Sequence, residues 1–577
     1  MLNLASLLAI LASMLAMFWP EELDPLLKPR DSSSLLNSSH YINFDFIIVG
    51  AGSAGSVVAN RLSAHWKVLL IEAGGPEDYY TDTPALAPTL IASKYDWNYT
   101  TTKQPHSCLN NGGYCFVSRG RVSGGSSTIN GMVYCRGNPQ DYQKWEEMGN
   151  PGWNYSCVLP YFLKSENSTI GTSSYHSNAG ELSVSYPNFK YPITEDFIQA
   201  GREYGLPLTD YNGPNQIGVS YTQYNMREGV VRCSSSKAFL DPIRNRPNLY
   251  IFMNTLVVKV LFSEEPTRRA VGVTCVRAGR HYDVFANKDV IISAGALDTP
   301  KLLLLSGIGP RLHLQEMGIS VVADLPVGNN LVDHVGVFMT FKLNTTYIDC
   351  CGEFTNRTVE RYARDKTGEL TAYLYQVQMF LPSGRRPTAG TSTELSIGLD
   401  KVNNSAGEGP NALILVGVTK PESVGQIRLK SKNYKDQQLI NPNHFSKKID
   451  IENLMEGMKQ TLEIFRTKAL KKYSPRWIVD DVPQCLPYYT EPITNQFLEC
   501  YMKYQGKVTV TNHQVGTARM GNSSSNSVVD HELRVYGIKN LRIIDASIMP
   551  EIISCNTNAP CVMIGEKGSD YIINTYQ

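Results

Sequence analysis

Residues 41–75, YINFDFIIVGAGSAGSVVANRLSAHWKVLLIEAGG, constrain the fold of this chain more than any other stretch. Residues 44–49 are a short apolar run rich in β-formers. Gly50, Gly52 and Gly55 follow at once in GxGxxG spacing. Residues 54–63 then read as a helix with Val57, Val58 and Leu62 on its apolar face, and residues 68–71 as a second strand ending at Glu72. A GxGxxG alone is weak. Strand, glycines, helix, strand and acid in that order make it a dinucleotide site. The glycines permit a tight turn and close approach of a pyrophosphate, with Ser53 and Ala54 opening the helix whose free N–H groups meet the phosphates. Glu72 is placed to accept hydrogen bonds from the adenosine ribose. The unit by itself does not separate FAD from NAD.

Three later stretches extend this α/β reading. Residues 119–138, RGRVSGGSSTINGMVYCRGN, form a second Gly/Ser-rich loop. Its small residues Gly124, Gly125, Ser126 and Ser127 suit backbone lying against a planar ring or a diphosphate. Residues 289–310, DVIISAGALDTPKLLLLSGIGP, read as a strand, a small-residue turn and an apolar helix. Residues 541–550, LRIIDASIMP, repeat that pattern with Asp545 at the strand end. The nucleotide domain is therefore assembled from separated pieces. Residues 412–431 carry two strand-like runs, and 451–465 an amphipathic helix.

The 577 residues hold 54 Lys plus Arg against 53 Asp plus Glu. That balance provides no footprint for nucleic acid or an anionic membrane surface. Residues 2–19 are apolar but for Asn3, Ser6 and Ser13, and end at Pro20 before an acidic EELD. They read as a secretory signal peptide spanning 1–19. The alternative is a signal anchor, because the run approaches the roughly 20 residues that span a bilayer. No comparable apolar run follows, so the mature chain is expected to have no stable membrane insertion. Eight N-x-S/T sequons, at Asn37, Asn98, Asn154, Asn167, Asn344, Asn356, Asn403 and Asn522, accord with secretion. So do twelve cysteines with no CxxC pair, a pattern that favours disulfides over a metal site. Cys108 and Cys115 bracket a Gly/Asn turn and form one candidate pair; Cys485 and Cys500 form a second.

Taken together, the fingerprint with Glu72, GRVSGGSSTIN, GALDTPKLLLLSGIG, and the C-terminal blocks NHQVGT and NTNAP resemble the glucose-methanol-choline (GMC) oxidoreductases over about residues 42–575. LRVYGIKNLRIIDASIMP is most similar to their secreted insect branch. The resemblance implies FAD as cofactor. It implies a Rossmann-like FAD-binding domain from 42–170, 235–343 and 500–577, and an α+β substrate domain with an antiparallel sheet from 171–234 and 344–499. Three positions depart from the family pattern. Ser123 replaces an aliphatic residue, Gln514 replaces a proline, and Cys555 stands where glycine is common.

Oxidation of an alcohol by a flavin sends a hydride from carbon to flavin N5 and a proton from oxygen to a base. Imidazole has a suitable pKa without tuning. By motif match the base is His513 and its partner on the substrate oxygen is Asn556, 43 residues apart. His106, His281, His334 and His531 fall outside the motif that carries the base. The same match implies that Gly125, Ser126 and Asn130 approach the isoalloxazine and ribityl chain. Val257 would touch adenine, and Asp545, Ala546 and Pro560 would lie by the flavin. The expected reaction converts CH–OH to aldehyde or ketone, with electrons passed to oxygen or a quinone-type acceptor. A hydroxynitrile lyase that keeps FAD without redox chemistry, and a secreted binding protein on the same fold, are the alternatives. Sugar, aromatic, terpenoid and steroid alcohols all accord with the motifs.

Overall fold

In the computed structural model the described residues are 4–37, 43–263, 268–344, 355–382, 391–400, 410–480, 482–505 and 509–577. The glycine fingerprint sits at the centre of a five-stranded parallel sheet. Its strands lie in the order Leu249–Phe252, Val68–Ile71, Phe46–Val49, Val290–Ile292 and Leu541–Ile543. The three central strands are buried residue by residue, as in a parallel sheet covered on both faces. The Ser53–Leu62 helix packs on the C-terminal Asn558–Tyr576 helix. Their close approach needs Gly565, where a Cβ would stand 2.9 Å from Ala54 O. The expected helix after the fingerprint begins one residue earlier than the sequence reading places it, with Gly52 as its N-cap.

The second layer is a seven-stranded antiparallel sheet. Its main order is Arg476–Trp477, Val335–Lys342, Asn411–Val418, Thr391–Asp400, Tyr375–Pro382 and Gly218–Tyr221, with Thr509–Val510 pairing beside Val335. Period-two alternation divides its faces. Val337, Met339, Ile414, Val416, Leu395 and Val377 point into a core shared with the helices Thr194–Glu203, Lys448–Phe465 and Asn495–Tyr504. Phe338, Leu413, Leu415 and Ser396, on the other face, line a cavity. The strands Val335–Lys342 and Thr509–Val510 join this sheet although they lie in segments that the family resemblance groups with the FAD-binding half.

Three disulfides occur among the described residues. Cys108–Cys115 and Cys485–Cys500 are the two expected pairs. Cys135–Cys555 joins residues 420 apart in sequence and has no local signal. The apolar N-terminal run forms a helix, Leu4–Phe18, with Leu11 and Leu15 buried against Val359, Tyr362 and Ala363. No helix among the described residues is long and apolar enough to cross a membrane.

Candidate active site

A cavity of about 940 Å³ runs between the two sheets, near the upper end of the usual small-molecule range of about 300–1,000 Å³. The first strand of the parallel sheet ends at its floor. Gly50 turns there with φ +102°, and a Cβ on it would stand 2.4 Å from Ser293 O. A Cβ on Gly55 would stand 2.0 Å from Gly50 O, so this glycine serves helix–strand packing and does not line the cavity. Gly52 differs from both. A Cβ there would meet nothing within 4 Å, because the residue faces the cavity. No side chain caps the following helix. Its first-turn N–H groups are thus left for an anionic ligand. Open space at Gly52 together with an uncapped helix end fits the pyrophosphate of FAD.

The other expected cofactor residues divide by what they touch. Ser53, Ala54, Glu72, Gly125, Ser126, Asn130, Val257, Asp545 and Ala546 line the cavity. Glu72 also braces the turn, accepting from Ala51 N at 2.9 Å and Gly74 N at 2.8 Å. Burial lifts its carboxyl to about 7, against the pull of those N–H groups. Asp545 accepts from Gly295 N, Thr299 Oγ1, and both Ser547 N and Oγ. Its carboxylate therefore holds two backbone turns in place. Pro560 does not line the cavity. It is buried in the first turn of the Asn558–Tyr576 helix, and its neighbours Asn558 and Cys561 face the space instead. Arg232, which the motifs do not mark, holds the Gly/Ser loop from behind. Its buried guanidinium donates to Ser127 O at 3.0 Å and to Asn130 O at 2.7 Å.

His513 and Asn556 meet in the cavity wall despite their separation in sequence. Asn556 Nδ2 donates to His513 Nε2 at 3.1 Å, and Asn556 Oδ1 is buried with no partner. On its other side, His513 Nδ1 lies 3.0 Å from His334 Nδ1. His334 Nε2 lies 2.9 Å from Ile553 O. A carbonyl only accepts, so His334 carries its proton on Nε2 and presents a lone pair at Nδ1. His513 must then carry its proton on Nδ1, which leaves the Nε2 lone pair beside Asn556. The chain of bonds selects the tautomer in which the cavity-side nitrogen is basic.

Buried polar side chains hold this arrangement. Asp333 accepts from His513 N at 2.8 Å and from Gln514 Nε2. Burial raises its carboxyl to about 7, while Arg119 pulls the other way. Arg119 donates to Asn512 O at 2.5 Å and to Gln514 Oε1. Burial, then His334 and Arg119, push the His513 pKa well below its usual value. Burial likewise holds His334 down at about 4. The imidazole of His513 is thus neutral across ordinary pH.

The three departures from the family pattern each have a partner here. Gln514 bridges Arg119 and Asp333, and Ser123 Oγ bonds Ser236 Oγ at 2.8 Å. Cys555 closes the long-range disulfide beside Asn556. His334 and Asp333 escaped the motif reading. Their only sequence signal is a pair of titratable residues inside the apolar run LVDHVGVFM.

Known proteins resemble this chain over most of its length. Family models described as GMC oxidoreductase match residues 44–336 and 421–565. The chain is 37% identical over 562 residues to glucose dehydrogenase [FAD, quinone] of Drosophila melanogaster, covering 93% of this chain and 88% of that protein. It is 36% identical over 586 residues to ecdysone oxidase of Bombyx mori, covering 95% and 84%. Among solved structures, pyridoxine 4-oxidase from Mesorbium loti superposes with a TM-score of 0.79 at 28% identity, covering 93% of this chain and 100% of that one. The chain belongs to the GMC oxidoreductases and is an FAD-dependent enzyme acting on CH–OH groups.

Proposed function

We propose that His513 is the base that takes the hydroxyl proton of an alcohol, and that Asn556 holds the substrate oxygen. The observation that carries this reading is the Nε2 lone pair of His513, which faces the cavity and accepts from Asn556 Nδ2. A hydroxyl inserted between them donates to Nε2 and accepts from Nδ2. Bound FAD supplies the hydride acceptor. Gly50, Gly52, Ser53, Ala54 and Glu72 hold its ADP half, Val257 its adenine, and Gly125, Ser126, Asn130 and Ala546 its flavin end, with Gly55, Asp545 and Pro560 shaping the supporting backbone. Oxygen or a quinone-type acceptor then removes the electrons. In this reading 42–170, 235–343 and 500–577 form the FAD-binding part, and 171–234 with 344–499 the substrate part.

The testing experiment is anaerobic stopped-flow flavin reduction. Removing a general base typically costs about 10²- to 10⁴-fold in rate. His513→Ala should lose reduction on that scale and keep its FAD. Reduction at the wild-type rate would make His513 structural only. Asn556→Ala should also slow reduction, and the two losses should be less than additive because both groups act on one oxygen.

The chain is further proposed to be secreted, with 1–19 removed as a signal peptide. Asn98, Asn344, Asn356 and Asn522 are exposed and available for glycans. Residues beyond 19 are tied to the body independently of that helix: Glu22 pairs with Lys237 at 2.8 Å and Asp31 with Arg277 at 3.0 Å. N-terminal sequencing of protein from the medium, with glycosidase treatment, tests this. An intact Met1 and no mass loss would refute it.

A further inference from the structure

The cavity wall opposite the dinucleotide loops has a chemistry of its own. It begins on the strand that carries the histidine pair. His334 immediately precedes Val335–Lys342, and Val510, three residues before His513, pairs with Val335. Along that strand Phe338 faces the cavity. Register places Leu415 opposite Phe338 and Ser396 opposite Leu415, and Leu413 follows on the same face. Tyr373, Leu374 and Tyr375 continue the wall, with the two tyrosine rings edge to face at 5.6 Å. Hydrocarbon and aromatic rings make up nearly all of this surface.

Its polar content is small. Ser396 Oγ donates its proton to Gln378 Oε1 at 2.8 Å. No charged side chain from this sheet lines the cavity among the described residues. Glu394 lies one pleat along from Ser396 on the same face but is not part of the lining. Lys435 and Gln437 also reach the cavity, but at the nucleotide half. There Gln437 Nε2 donates to Thr100 O at 2.6 Å, and Gln438 Nε2 to Leu297 O at 3.2 Å.

From this wall we infer that the substrate is a hydrophobic alcohol, with an aromatic or alkenyl skeleton lying against Phe338, Leu413, Leu415 and Tyr375, and not a sugar. The inference rests on alcohol oxidation at His513 and Asn556 as proposed above. A sugar would bring several non-reacting hydroxyls against a surface with few partners for them, and each buried polar group left unpaired is disfavoured. A flat hydrocarbon skeleton loses nothing polar and removes apolar area from water on both sides of the contact.

The test uses the FAD-loaded enzyme and anaerobic flavin reduction with benzyl alcohol, cinnamyl alcohol, geraniol and D-glucose. The best of the first three should exceed glucose in kcat/KM by at least about 100-fold, the discrimination expected for a single misplaced hydroxyl in an apolar pocket. Leu415→Asn should lower kcat/KM for that best alcohol about 10-fold or more, mainly through KM, while FAD content and melting temperature hold. Leu413→Asn serves the same purpose if Leu415→Asn does not fold. Glucose reducing the flavin as well as the hydrophobic alcohols would overturn the substrate class and leave alcohol oxidation standing. A flavin that is bound but reduced by no alcohol would overturn both.

Discussion

The Nδ1 atoms of His334 and His513 lie 3.0 Å apart, with the two rings nearly perpendicular at 86°. This contact orients His513, the proposed base. With Ile553 O fixing the proton of His334, the lone pair at His334 Nδ1 fixes that of His513. His334→Phe removes the acceptor and frees the His513 ring to take the other tautomer. Flavin reduction should slow by about 10-fold or more, short of the about 10²- to 10⁴-fold loss for deleting the base. His334→Gln restores an amide oxygen to accept and an amide N–H to donate, and should recover part of the rate. Equal rates in Phe and Gln variants would show that His334 only fills space.

The pH dependence follows from the same pair. A catalytic base must be neutral, and His513 is held well below its usual pKa by burial, His334 and Arg119. Protonation therefore sets in only at pH well below 6.5. In Asp333→Asn, which removes the neighbouring carboxyl that burial raises to about 7, the acid limb of kcat/KM for flavin reduction should lie in that region, with a flat profile from about pH 6.5 to 8. An acid limb centred at 6.5 or above in that variant would show that His513 is solvated.

Stability carries a matching signature. His334 has a folded-state pKa of about 4 against 6.5 when free. A pKa depressed by folding contributes stability that is present above 6.5 and is lost as pH falls toward 4. The span corresponds to about 3 kcal/mol. Thermal melts from pH 7 to 4 should show a steeper loss in the wild type than in His334→Gln, and parallel curves would refute the burial argument.

The three fingerprint glycines separate by consequence. Gly52→Val adds a side chain into open cavity, so the protein should fold and melt near the wild-type temperature yet bind no FAD. Gly55→Ala drives a Cβ to 2.0 Å from Gly50 O and should destabilise the fold itself. Flavin absorbance and a melting curve on each variant distinguish the two. Normal FAD content in Gly52→Val would mean that the pyrophosphate binds elsewhere.

Local features were legible in the sequence and long-range ones were not. Val68–Ile71 has the expected bounds because its apolar run is delimited on both sides, by Lys67 and by Glu72. The cysteine pairs separated by 7 and 15 residues could be read from spacing and an intervening turn. The meeting of His513 and Asn556 in the cavity wall is legible only through the motif resemblance, since nothing in a 43-residue gap brings two side chains together. His334 was missed because its role exists only through contacts to residues 179 and 219 positions away. Glycine positions told of a turn but not of its division of labour, which depends on Ser293 crossing over Gly50.

The Cys135–Cys555 bridge provides the last prediction. Cys555 sits in a short segment of the cavity wall in which Ile553 O anchors His334, Ser554 bonds Asp141, and Asn556 meets His513, the proposed base. The disulfide ties that segment to residue 135, near the end of the Gly/Ser-rich stretch 119–138. A cross-link closing a loop this long typically contributes about 2–4 kcal/mol of stability. Losing it should also let Asn556 drift from the substrate oxygen. Cys135→Ala with Cys555→Gly should therefore melt earlier and reduce its flavin more slowly, with FAD still bound. The slowing should vanish in an Asn556→Ala background, where there is no amide left to misplace. Slowing that persists unchanged in that background would locate the effect of the bridge elsewhere in the site.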